Sequence, residues 1–84
     1  MTKRLEELKN FLKETPDDPF LEYAITMEYR KIGDNVKAQD GFANLIANHR
    51  DYVGTYYHYA KFLEEQGKQE QSLDIYRLGL EVAK

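Results

Sequence analysis

Gly33 and Gly67 stand 34 residues apart, and each ends one apolar-striped segment and precedes another. Aligned on this pair, Tyr23 meets Tyr57, Ile25 meets Tyr59, Tyr29 meets Leu63, Ala38 meets Ser72, Asp40 meets Asp74 and Phe42 meets Tyr76. Strict identity between the two halves is poor, but side-chain size and polarity agree. Leu8, Phe11 and Leu12 continue the register one period before Phe42, Leu45 and Ile46. A fixed period of this length restricts the chain to one helical hairpin stacked repeatedly, because each hairpin buries its apolar face only against a neighbour.

Pro16-Asp17-Asp18-Pro19, Gly33-Asp34-Asn35, His49-Arg50-Asp51 and Gly67-Lys68 divide the chain into five segments, each with helical rather than strand spacing of apolar residues. The first helix is expected over 3–14, capped by Thr2, with Leu5, Leu8 and Leu12 on one stripe and Phe11 beside it. The second begins at Pro19 behind the cap Asp18 and stops at Gly33, which can adopt the left-handed conformation of a helix C-terminus. Leu21, Ala24, Ile25 and Ile32 form its stripe, with Tyr29 alongside. The third is expected over 36–48, capped by Asn35, with Ala38, Phe42, Leu45 and Ile46 inward. The fourth spans 52–66 with Tyr56, Tyr59, Ala60 and Leu63 inward, and the fifth spans 69–83 with Leu73, Tyr76, Leu80 and Ala83 inward.

The second full period carries Tyr56, Tyr59-Ala60, Leu63, Gly67, Ser72 and Tyr76 at the spacing of W-x2-L-G-x2-Y, then glycine, then small-x3-aromatic. The first carries Ile25, Tyr29, Gly33, Ala38 and Phe42, with Glu22 where the Trp belongs and Thr26 where the Gly belongs. Pro16 sits where a preceding repeat would end in proline, while Arg50 and Lys84 stand at the other proline positions. In these features the chain resembles the tetratricopeptide repeat (TPR) family over essentially its full length. The resemblance implies an all-α, helical-hairpin solenoid of five antiparallel helices. It is read as a single domain over 1–84, with a leading half repeat (1–17) and two full repeats (18–51 and 52–84). The competing fold is an unrelated five-helix bundle with coincidental spacing.

Composition and motifs exclude most chemistry. There are 15 acids against 12 bases, net −3, which argues against a binder of nucleic-acid backbones. The absence of cysteine excludes disulfides, thiolate nucleophiles and cysteine metal sites. His49 and His58 lack a ligand partner at zinc spacing, Asp17-Asp18 is too short for a calcium loop, and Ser72, the sole serine, falls at a packing position. The glycines form no phosphate-binding pattern. No catalytic or metal site and no cofactor is expected, and the chain is read as non-enzymatic. No signal peptide or membrane-spanning run is visible, so the default expectation is a cytoplasmic protein with no membrane partner.

What remains is surface. The resemblance implies that the second and fourth helices line a concave face. There Phe20, Tyr23, Met27 and Arg30 share one helical face, joined by Tyr57 and Lys61. Aromatic residues, methionine and arginine are enriched at interfaces, so these six are the expected binding site for a peptide or helix of a partner protein. The competing expectation is that some of them pack internally. The TPR subtype that clamps a C-terminal carboxylate is argued against, because its Lys and Asn positions hold Tyr23, Met27, Tyr57 and Lys61 here. An alternative function is a self-assembling element that forms a homodimer through the fifth helix. Its extra stripe of Ile75, Leu78 and Val82, absent from the third helix, is expected to be exposed at the open end. A third and weaker reading, an RNA-binding helical repeat, is opposed by the net charge and the small number of repeats.

Overall fold

The computed structural model describes residues 2–84, and among them the chain forms five α-helices and no strand. They are α1 (Lys3–Glu14), α2 (Pro19–Lys31), α3 (Asn35–Asn48), α4 (Gly54–Glu65) and α5 (Gln69–Ala83). α2 packs along α3 and α4 along α5; α1 lies on α2, and α3 meets α4. The fold is therefore an all-α array of helical hairpins.

The two hairpin turns are closed in the same way. Gly33 and Gly67 have φ of +84° and +77° and are alone in the positive-φ region among the described residues. Each lets the next amide reach back five residues: Asp34 donates to the Tyr29 carbonyl and Lys68 to the Leu63 carbonyl, both at 2.9 Å. This satisfies carbonyls that a helix end otherwise leaves orphaned. At the N-termini, Thr2 Oγ1 accepts from the Leu5 amide at 3.1 Å and Asp18 Oδ1 from the Phe20 amide at 2.9 Å.

Two boundaries differ from expectation. The cap of α3 is Asp34, whose Oδ1 accepts from the Lys37 amide, and Asn35 is the first helical residue. The tight Gly33 turn delivers Asp34, one position earlier than expected, at the three-residue spacing a cap needs. α4 begins at Gly54 rather than Tyr52, because the Tyr52 amide closes a turn onto the His49 carbonyl.

The core forms two clusters. Leu5, Leu8, Ala24 and Ile25 join α1 to α2, and Ala38, Phe42 and Phe62 join the two hairpins; Tyr29 packs against both. Within each hairpin, volume is exchanged between facing positions. In the first, Thr26 is buried and Gly41 opposite it has no room for a Cβ beside the Thr26 hydroxyl. One period on, these positions hold Ala60 and Ile75. Likewise Glu22 and Leu45 become Tyr56 and Gly79, and a Cβ on Gly79 would lie 2.7 Å from that of Tyr56. Large and small trade places between facing helices, and this is one source of the poor identity between the repeats.

The faces of α5 differ from expectation. Ser72 and Gly79 are its buried residues; Ile75, Leu78 and Val82 are half-buried, while Leu73 and Leu80 are 51% and 69% exposed. The equivalents of Ile75 and Leu78 in α3, Gly41 and Asn44, line a groove together with Leu12 of α1. This shoulder of the helix therefore faces the preceding hairpin. The open side is formed by Tyr76, Leu80 and Ala83, the residues expected inward. Both shoulders of a hairpin helix are apolar in a stacked array, so periodicity alone does not distinguish them.

Candidate protein-interaction face

Side chains of α2 and α4 meet where the hairpins join, and the turn before α4 folds Tyr52 back towards α2. Tyr23 has its ring centroid 5.8 Å from that of Tyr52 and 5.5 Å from that of His58. Tyr57 meets the other edge of His58 at 5.2 Å and reaches Tyr76 of α5 at 6.2 Å. A continuous aromatic row, Tyr52–Tyr23–His58–Tyr57–Tyr76, thus crosses both hairpins. Tilted and edge-on ring pairs at these distances contribute about 0.5–1.5 kcal/mol each beyond their burial.

The row sets its own electrostatics. Burial, and secondarily the nearby Arg30 guanidinium, lower the His58 pKa below its ordinary 6.5, so the imidazole is neutral at pH 7. Burial raises the Tyr23 phenol, as does Tyr52, while Arg30 acts in the opposite sense. Arg30 itself bonds Glu65 at 2.8 Å and ties the end of α2 to the end of α4.

The structure separates the six expected binding residues. Phe20 and Tyr57 are 57% and 55% exposed. Tyr23, Met27, Arg30 and Lys61 are half-buried. Met27 packs against Ala38, Phe42 and Phe62 and so supports the core. Arg30 is engaged with Glu65. Lys61 makes no ion pair among the described residues. From sequence His58 has no role beyond the absence of a zinc partner; the signal for its place between Tyr23 and Tyr57 is their one-repeat separation and its own adjacency to Tyr57.

His49 Nε2 lies 3.2 Å from Glu22 Oε2 and links the end of α3 to α2. The two residues are far apart in sequence, so no local motif announces the pair. No group of three or more His, Cys, Asp or Glu able to hold a metal occurs among the described residues. No helix among them is long and apolar enough to cross a membrane.

Neither a protein-family model nor a curated protein matches the chain. Solved structures do. The solution NMR structure of a tetratricopeptide repeat domain protein from Salinibacter ruber is 40% identical, with 81% of this chain and 69% of that one covered and a TM-score of 0.78. A crystal structure of a tetratricopeptide repeat domain protein from the same organism is 39% identical, with 79% of this chain and 73% of that one covered and a TM-score of 0.73. The 34-residue register, the paired glycine turns and this likeness agree, and the chain belongs to the tetratricopeptide repeat family.

Proposed function

We propose that the protein is a non-catalytic interaction module that takes a peptide or a helix of a partner protein along the surface of α2 and α4. The family's role in binding proteins supports this in general terms. The single observation that carries it is the aromatic row from Tyr52 to Tyr76, whose member Tyr57 is exposed, together with the exposed ring of Phe20 on α2. Tyr23, Met27 and Arg30 hold the platform in place, and Phe20, Tyr57 and Lys61 meet the ligand. Rigid aromatic surface of this kind binds with little loss of side-chain entropy. Lys61 favours an acidic group beside the ligand's apolar anchor. Net −3 and two full repeats speak against RNA as the ligand.

The test is selection from a random peptide library displayed on phage, followed by titration of the winners. Phe20→Ala, Tyr57→Ala and Lys61→Ala should each weaken binding by about tenfold or more, as central truncations at interfaces do. Amide shifts on titration should gather on α2 and α4. Binding unaffected by all three substitutions would place the site elsewhere.

A further inference from the structure

The open side of the second hairpin repeats an interface that the molecule already contains. Where the hairpins meet, Tyr23 touches Tyr52 and His58, Arg30 bonds Glu65, and Phe42 stacks on Tyr59 at 5.1 Å and meets Phe62. One period later the same positions are Tyr57, Glu64 and Tyr76. There, between α4 and α5, lies an apolar groove of about 420 Å³. The buried Tyr56 and Gly79 form its base, and Val53, Tyr57, Tyr76 and Leu80 its sides. Phe42 is fully buried by its neighbours, whereas Leu80 beside the groove is 69% exposed and Val53 46%. A projecting leucine next to a glycine-based cleft supplies both knob and hole on one patch, as a twofold interface requires.

The charges along the exposed side of α5 favour a second copy as the groove's occupant. Asp74, Arg77, Glu81 and Lys84 run along the exposed side of α5 with alternating sign, and Arg77 and Lys84 share a helical face with Leu73 and Leu80. Their pattern is antisymmetric about Gly79: Arg77 mirrors Glu81, and Asp74 mirrors Lys84. Two α5 helices laid antiparallel, with the twofold axis at the level of Gly79 along the helix, therefore set opposite charges at matching heights at all four positions. A parallel pairing would set like against like. Within one chain these side chains are at least 70% exposed and make only loose contacts, Arg77 with Asp74 at 3.6 Å and Lys84 with Glu81 at 3.9 Å. Such exposed pairs are easily exchanged for others.

We infer that the α4–α5 groove is a self-association site, at which two copies pair through antiparallel α5 helices, with Leu80 of each in the groove of the other and Arg77 against the partner's Glu81. This is independent of the α2–α4 binding face, although Tyr57 borders both.

The experiment is sedimentation equilibrium of the purified chain from about 10 µM to about 1 mM, a range that captures weak association. The mass should climb from 9.9 kDa towards twice that value. Leu80→Glu should remain monomeric throughout, and circular dichroism should show its helices and melting unchanged, since Leu80 is not in the core. Arg77→Glu should weaken pairing by about tenfold, because a repulsion appears twice across the axis. The double swap Arg77→Glu with Glu81→Arg should restore it, although it breaks both contacts within the helix. A wild-type chain that stays monomeric throughout overturns the inference and leaves the groove to a different protein. So does a dimer that survives Leu80→Glu, or one abolished by Leu78→Glu and not by Leu80→Glu, which would move the interface to the Ile75, Leu78 and Val82 shoulder.

Discussion

Thr55 is fully buried, and its hydroxyl has no hydrogen-bond partner among the described residues. An unsatisfied buried hydroxyl costs about 1–3 kcal/mol in desolvation. Thr55→Val keeps the shape and removes the polar atom, so it should be neutral or stabilising by about 1 kcal/mol, read as a raised urea midpoint with unchanged slope. A clear loss of stability would mean that the hydroxyl is bonded in solution. His58 is a second polar group with a definite consequence. Its pKa in the fold lies below the ordinary 6.5, so as pH falls the unfolded chain takes up the proton first. Its contribution is fully present above about pH 6.5 and is lost as pH drops towards the folded value. The melting midpoint should therefore fall between pH 7.5 and 5.5 by more in the wild type than in His58→Gln. Equal slopes in the two proteins would show that the imidazole is not held neutral by burial and Arg30.

The helices were the most legible part of this chain, and their caps test how far that legibility extends. Asp34, and not Asn35, accepts the Lys37 amide, so Asp34→Ala should cost about 1 kcal/mol and Asn35→Ala much less. Thermal unfolding of the two variants decides between the cap that was expected and the one observed. The pairing of α2 with α3 gives a sharper test. Gly41→Ala should destabilise by about 1–3 kcal/mol because the new methyl meets the Thr26 hydroxyl, and Thr26→Ala in the same chain should recover most of that loss. Additive losses would show that the two positions do not share the space. These same positions explain what sequence could and could not convey. Glycines, prolines and caps act locally, so Thr2, Asp18, Gly33 and Gly67 marked four helix ends correctly. The exchange of volume between Thr26–Gly41 and Ala60–Ile75 lies across helices and is invisible until the register is known. For the same reason Leu73 and Leu80, expected inward, turn out to be exposed. Four of the six expected binding residues are half-buried, because the face they share also joins the hairpins: Met27 packs on the core and Arg30 bonds Glu65.

The array stands or falls on the junction between its hairpins, and Phe42 is its centre. Fully buried, it stacks on Tyr59 at 5.1 Å and tilts against Phe62 at 5.6 Å, both from the following hairpin. In repeat arrays, stability is approximately the sum of intrinsic repeat terms and neighbour interfaces. With one such junction between two full hairpins, that interface is a large share of the total. Small single domains nonetheless unfold in one cooperative step, which here requires that neither hairpin persist without the other. The distribution of tyrosines makes this measurable. Five of the seven lie between Tyr52 and Tyr76, so tyrosine emission reports chiefly on α4 and α5, whereas circular dichroism reports on all the helices. In urea the two signals should trace one coincident transition for the wild type. Phe42→Ala should cost about 3–5 kcal/mol, a substantial fraction of the 5–15 kcal/mol that sustains an ordinary domain. Its helical signal should then fall at much lower urea and still coincide with emission, because the second hairpin loses the surface that covers Tyr59 and Phe62. Emission that outlasts the helical signal in the variant would show α4 and α5 folding on their own, with Phe42 serving only as a contact between independent halves.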